Sequence, residues 1–338
     1  MAALLASLGI ALLLLLSMGP RRAAAAGDPC RSRIELALGF LRGLPLVTAQ
    51  IDGAAATLIL DTGAEETVLT AAAAARLGLR PHYEYPRHLH SVSGAVVTGE
   101  ARLKSLAVGN AAAADFIILV GALALPHVAG VQPAGLLGGD FLSRFDVALD
   151  LANGRLALYR PGCALLRPPW RGAYTSLPAN RSIDNRLFFP VDLDGRKLFA
   201  FIDTGAQISA IDRAAVRDLG ISRTAIARDP VAMMRGIAPP RVRAYAHRFA
   251  WLRVGGDMWR DPTMIVADLN LPDADIVLGL DFLRGRRVWF SYAARRLLIG
   301  PPDGPQARPD RAGRRSSFST VRAAGSPASG GNAVRSRP

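Results

Sequence analysis

Two short phrases carry the residues best suited to chemistry. Asp61-Thr62-Gly63-Ala64 ends one apolar run (TLIL), and Asp203-Thr204-Gly205-Ala206 ends another (LFAFI). A carboxylate placed there sits in a tight loop, where glycine lets another backbone approach. One such carboxylate in apolar surroundings is only costly. Two brought face to face cannot both ionise, so they share a proton and one acts as base while the other donates. Such a pair can activate a water and protonate a leaving group at one centre, which peptide-bond hydrolysis needs when neither metal nor covalent intermediate takes part. The threonine hydroxyls can bond across to the opposite loop and hold the aspartates in register. A single Asp-Thr-Gly reads equally as a capped turn, because Asp and Thr bond local backbone readily. Its duplication in matched surroundings favours a joint site.

The elements that position these residues repeat in register. Nine residues before each aspartate stands an Asp-Gly pair, Asp52-Gly53 and Asp194-Gly195, between strand-like runs. Asp-Gly in that setting is a hairpin turn, since Gly supplies the positive φ the turn requires. Each catalytic candidate therefore ends the second strand of a hairpin. Downstream, Ala71 to Leu79 matches Arg213 to Ile221, two short helices stopped by Gly78 and Gly220. Gly94 and Gly236 fall at equal distances from their aspartates, inside segments that can form a second hairpin. Leu136-Leu137-Gly138-Gly139-Asp140-Phe141-Leu142 then matches Val277-Leu278-Gly279-Leu280-Asp281-Phe282-Leu283. The chain reads as two copies of a β-rich unit, residues 34–160 and 184–300, joined by a Pro-, Gly- and Arg-rich linker over 161–183.

With those landmarks assembled, both repeats resemble the retropepsin branch of the aspartic proteases: Asp61-Thr62-Gly63-Ala64 with Thr67-Val68-Leu69 and Leu136-Leu137-Gly138, then Asp203-Thr204-Gly205-Ala206 with Ser209 and Val277-Leu278-Gly279. The resemblance implies an all-β fold with short helices, in which two tandem retropepsin-like closed β-barrel lobes form a bilobal, pepsin-like pseudo-dimer. It implies Asp61 and Asp203 as the catalytic pair, with Thr62, Gly63, Thr204 and Gly205 supporting the loops. It further implies that Gly138 and Asp140 lie beside Thr67, and Gly279 and Asp281 beside Ser209. Substrate contacts fall to Ala64, Glu65, Ala206, Gln207 and the flap residue Gly94; no metal or cofactor is implied. Retropepsins are usually one repeat per chain and pair as homodimers. Two joined repeats imply a monomer with pseudo-two-fold symmetry.

Joining the copies frees each to diverge. Glu65-Glu66 of the first corresponds to Gln207-Ile208 of the second, which makes the cleft asymmetric. Ser91 to Gly99 suits a glycine-containing hairpin flap, whereas Met233 to Arg241 contains Pro239-Pro240, which cannot donate to a ladder. The expectation is one working flap and one rigid or degenerate loop.

The chain has 338 residues, half of them apolar, enough for two ordinary domains. Its net charge of +14 suggests nucleic acid, yet Lys104 and Lys197 are the only lysines, and no basic stretch is interleaved with stacking aromatics. Nucleic-acid binding is therefore not expected. The histidines His82, His88 and His90 lack a supporting acidic or Cys ligand at helical spacing and read as a polar loop. Trp170, Trp251, Trp259 and Trp289 read as packing residues.

Residues 1–26 open with an uncharged leucine-rich core and end in Ala23-Ala24-Ala25-Ala26, an A-x-A cleavage site. They are read as a signal peptide, which sends the protein to the periplasm or outside the cell. The alternative is an uncleaved inner-membrane anchor with transient or lasting membrane association, which Arg21 and Arg22 would hold with the following chain in the cytoplasm. Cys30 and Cys163 either pair in an oxidising compartment or stand as isolated thiols. Residues 301–338, rich in Ser, Gly, Pro and Arg, are expected to be a disordered basic tail.

Two functions follow. One is an aspartic endopeptidase that hydrolyses peptide or protein substrates with a water activated by the Asp61/Asp203 pair. The other is a catalytically inactive peptide-binding or scaffolding module that keeps the fold. A third arrangement, in which each lobe pairs with a second chain, is also compatible with the sequence.

Overall fold

A computed structural model describes residues 33–302 apart from 129, 164–167, 169 and 270. The leader (1–26), Cys30 and all but the first residues of the basic tail (301–338) lie outside the described residues.

Each repeat begins with the expected hairpin. Strands Leu44–Ile51 and Ala54–Leu60 pair antiparallel, as do Leu187–Leu193 and Arg196–Ile202. Asp52 (φ 50) and Gly53 (φ 87) turn the first, Asp194 (φ 48) and Gly195 (φ 90) the second. Two consecutive positive φ values make the tight turn whose twist matches its strands.

The second hairpin strand then meets the apolar-Gly segment. Ala54–Leu60 runs parallel to Gly135–Leu137, and Val68–Thr70 lies antiparallel on that short strand's other side. The second repeat does the same with Arg196–Ile202, Ile276–Leu278 and Ala210–Asp212. Each Asp-Thr-Gly loop therefore leaves one side of a buried central strand and returns on the other. The helices Ala71–Arg76 and Arg213–Asp218 follow, capped by Thr70 and Asp212 side chains and ended by Gly78 (φ 69) and Gly220 (φ 78).

The first lobe closes into a barrel, because Leu44–Ile51 pairs with both Ala54–Leu60 and the long strand Gly94–Val108. That strand and Ala111–Gly121 are unbroken. In the second lobe the corresponding strands are split into Arg241–Arg248 and Trp251–Val254, and Asp257–Arg260 and Thr263–Ala267. The break falls at Asp261 (φ 53) and Pro262: a left-handed residue followed by one without an N–H cannot continue a ladder. Closure is nevertheless made where Leu193 pairs with Leu252.

A six-stranded sheet joins the lobes, in the order Arg33–Ala37, Arg155–Tyr159, Asp146–Asp150, Arg287–Ser291, Arg296–Ile299, Thr175–Pro178. Its middle pair comes from different repeats, with Ala148 opposite Trp289. The fully buried Asp146 accepts a hydrogen bond from Ser291 Oγ at 2.7 Å across that seam. On the outer face Tyr159 stacks on Trp289 with ring centroids 4.8 Å apart, and Trp170 packs beside them. Thr175–Pro178 lies in the segment read from sequence as linker, so part of that segment is a sheet strand.

The flap expectation is corrected by the second hairpin of each repeat. His82–Ser91 pairs with the start of Gly94–Val108 around a two-residue turn at Val92-Ser93. Val231–Arg235 pairs with Arg241–Arg248 in unbroken register from Val231–Tyr245 to Arg235–Arg241. Pro239 and Pro240 sit in the five-residue loop between those strands, where no ladder N–H is needed. Both copies therefore form a hydrogen-bonded flap, with a longer loop at the tip of the second.

Candidate active site

The two Asp-Thr-Gly loops meet at the junction of the lobes. Leu60 and Ile202, the last strand residues before each aspartate, are buried and fix where the loops start. Backbone bonds from Asp61 N–H to the Leu137 carbonyl (3.1 Å) and from Asp203 N–H to the Leu278 carbonyl (2.9 Å) tie each loop to its central strand.

The threonines turn inward and bond across the junction. Thr62 Oγ1 donates to the Ile202 carbonyl at 2.8 Å and accepts from Thr204 N–H at 3.1 Å. Thr204 Oγ1 donates to the Leu60 carbonyl at 2.6 Å and accepts from Thr62 N–H at 3.1 Å. Both threonines are buried, so these four bonds satisfy groups that water cannot reach.

The aspartates are oriented by their own loops. Asp61 Oδ1 accepts from Gly63 N–H (3.0 Å) and Ala64 N–H (2.9 Å); Asp203 Oδ1 accepts from Gly205 N–H (2.7 Å) and Ala206 N–H (3.1 Å). Each carboxyl lies against the opposite loop, Asp203 beside Gly63 and Asp61 beside Gly205. Burial raises Asp61 well above the ordinary carboxyl range, with the neighbouring Asp203 charge adding to the effect and the two loop N–H groups opposing it. Burial likewise raises Asp203, against the opposing effect of the Asp61 carboxyl and of its own loop N–H groups. Burial and the nearness of a like charge both favour the protonated form of Asp61.

The supporting contacts implied by the resemblance are present in both halves. Thr67 donates to Asp140 Oδ1 from N–H (2.9 Å) and Oγ1 (2.6 Å), and Gly138 N–H donates to Thr67 Oγ1 (3.1 Å). Ser209 repeats this with Asp281 and Gly279 at 2.9, 2.7 and 3.0 Å. A β-carbon on Gly138 would lie 2.5 Å from the Glu66 carbonyl carbon, and one on Gly279 2.8 Å from the Ala206 carbonyl oxygen. Only glycine permits the approach.

The halves part at the next positions. Glu65 forms an ion pair with Arg186 of the second lobe at 2.5 Å, and Glu66 pairs with Arg87 of the first flap. Burial nonetheless lifts both glutamates, against the pull of Arg186 on Glu65 and of Arg87 on Glu66. Gln207 instead donates from Nε2 to the Arg42 carbonyl at 2.5 Å, and Ile208 is exposed. Gly94 (φ 123) follows the first flap's turn, with space for a β-carbon 3.8 Å from that of Ala238. Sequence reading missed Arg186 and Arg87. Arg186 sits among polar residues beside the linker, and its counterpart at the matching distance from Asp61 is Leu44, so the repeat offered no signal for it.

A bilobal barrel pair with apposed Asp-Thr-Gly loops defines the aspartic-proteinase class. The aspartyl protease family model matches residues 47–141, and the gag-polyprotein aspartyl protease family model matches residues 189–285. Together they span more than half of the chain, which belongs to the retropepsin-like aspartyl proteases and carries two such domains. Among solved structures, the aspartic proteinase from Irpex lacteus is similar in fold, with a TM-score of 0.51 at 12% identity over 82% of this chain and 99% of that one. No curated protein sequence matches the chain.

Proposed function

We propose that the protein is an aspartic endopeptidase in which Asp61 and Asp203 act together on one water. The observation that carries this reading is the apposition of the two loops, in which each carboxyl lies against the opposite loop's glycine and is aimed by two backbone N–H groups of its own loop. With one proton between them, the ionised carboxylate takes a proton from water as its oxygen attacks the peptide carbonyl. The protonated partner gives its proton to the carbonyl oxygen, forming a tetrahedral diol. Collapse of the diol breaks the C–N bond as the now protonated carboxyl delivers its proton to the amine nitrogen and the ionised one takes a proton from a diol hydroxyl, so the pair again holds one proton. Substrate lies extended between the loops and the flaps, against Ala64, Glu65, Ala206, Gln207 and Gly94.

Both aspartates come from one chain, so the active unit is a monomer. Residues 1–26 direct export to the periplasm or outside the cell. Peptide cleavage by the wild type, Asp61→Asn and Asp203→Asn between about pH 3 and 7 tests the mechanism, with an expected loss on the order of 10²–10⁴-fold in each variant. Undiminished cleavage in either variant overturns it. Peptide binding without cleavage by any form returns the scaffold reading. Light scattering on the active fraction and N-terminal sequencing of the mature protein test the monomer and export readings.

A further inference from the structure

The flap tips cross. Ser93, at the turn of the first flap, is only 4% exposed. Its hydroxyl donates to the Ala238 carbonyl of the second flap at 2.9 Å and accepts from Gly236 N–H at 3.1 Å. The fit is close: a β-carbon on Gly236 would lie 2.7 Å from Ser93 Oγ. The neighbouring apolar residues exchange lobes. Val92 packs on the second lobe's cluster with Met234 and Leu271, and Ile237 packs on the first lobe's cluster with Leu123 and Leu125. Ala124 N–H also donates to the Ile237 carbonyl at 2.8 Å.

The roots of the two flaps differ. Arg87 binds the first flap to Glu66, beside the Asp61 loop, and stands 3.7 Å from Glu100 of the same hairpin. The second flap has Ile208 where Glu66 would be. Its own root pair, His247 with Asp229 at 2.7 Å, joins the hairpin to its leading segment and does not reach the Asp203 loop.

Resting on the peptidase reading above, we infer that Ser93 is a positioning residue that latches the second flap over the carboxyl pair, and that the cleft opens by withdrawal of the second flap while the first stays rooted. One hydroxyl serves both a donor and an acceptor of the second flap's loop, so its removal frees two polar groups to seek water. Opening then requires withdrawal of Ile237 from the first lobe, parting of Val92 from the cluster it shares with Met234, and release of the Ala124 bond.

Hydrogen exchange on the full chain tests this without depending on cleavage. Ser93→Ala should speed exchange at amides of residues 231–248 by roughly 3–10-fold, leave residues 82–91 and the barrel strands near wild type, and preserve the melting temperature within a few degrees. Ser93→Thr, which keeps the hydroxyl, should retain wild-type protection. Unchanged exchange over 231–248 in Ser93→Ala overturns the latch, as does equal acceleration in both flaps or throughout the chain. If no form cleaves peptide while the exchange pattern holds, the peptidase reading fails and the latch stands.

Discussion

Gly63 lies so close to Asp203 that a β-carbon on it would stand 2.6 Å from a carboxyl oxygen, and Gly205 mirrors this with Asp61 at 2.5 Å. Each loop's glycine is the floor on which the opposite loop's carboxyl rests. A methyl there must displace the carboxyl or part the lobes. Gly63→Ala and Gly205→Ala are each expected to reduce peptide cleavage by about 100-fold or more, the scale of a misplacement near 1 Å. Wild-type turnover in either variant would show that the close approach is unnecessary.

Burial raises both carboxyls of the pair, Asp61 well above its ordinary 3.8. A carboxyl with a raised folded value contributes stability that is complete below its unfolded value and is lost as pH rises through the folded one. Asp61→Asn removes that titration. Its melting temperature should fall less than wild type's between about pH 4 and 8, the difference widening as pH rises. Parallel melting curves across that range would contradict the raised value.

Thr204→Val keeps the side chain's shape and removes its hydroxyl. It leaves the Thr62 N–H and the Leu60 carbonyl, both at the buried junction, without their present partner. The expected cost is about 2–4 kcal/mol of unfolding free energy by chemical denaturation. Thr204→Ser should recover most of it.

Glu65 and Arg186 tie the first lobe's loop to the second lobe through a partly exposed pair. Water reaches both side chains, so a double-mutant cycle with Glu65→Gln and Arg186→Met should give a coupling of about 0.5–1.5 kcal/mol, falling with added salt. Gln207 bonds a backbone carbonyl of Arg42, so the cost of Gln207→Ala has no charge to screen and should show no salt dependence.

Local pattern carried much of the fold. Asp52-Gly53 and Asp194-Gly195 announce their turns because few other dipeptides accept two positive φ values, and Gly78 and Gly220 announce helix ends for the same backbone reason. The candidate pair was legible because its loops repeat. The middle seam of the six-stranded sheet was not: Asp146–Asp150 and Arg287–Ser291 are ordinary apolar strands whose partnership depends on the whole fold. Pro239-Pro240 misled in a different way. Proline excludes a ladder position, but the register shows the exclusion lengthening a loop without dissolving a hairpin. Arg186 escaped because a charge beside a linker has no pattern until its partner, Glu65, is placed in space.

The seam between Asp146 and Ser291 joins residues 145 positions apart. During synthesis the first barrel has all its own strands once residue 142 has emerged, but this seam waits for the last strands of the chain. Until then the edge of Asp146–Asp150 that Arg287–Ser291 covers has no partner strand, so the sheet that joins the two repeats is the last part of the fold to be completed.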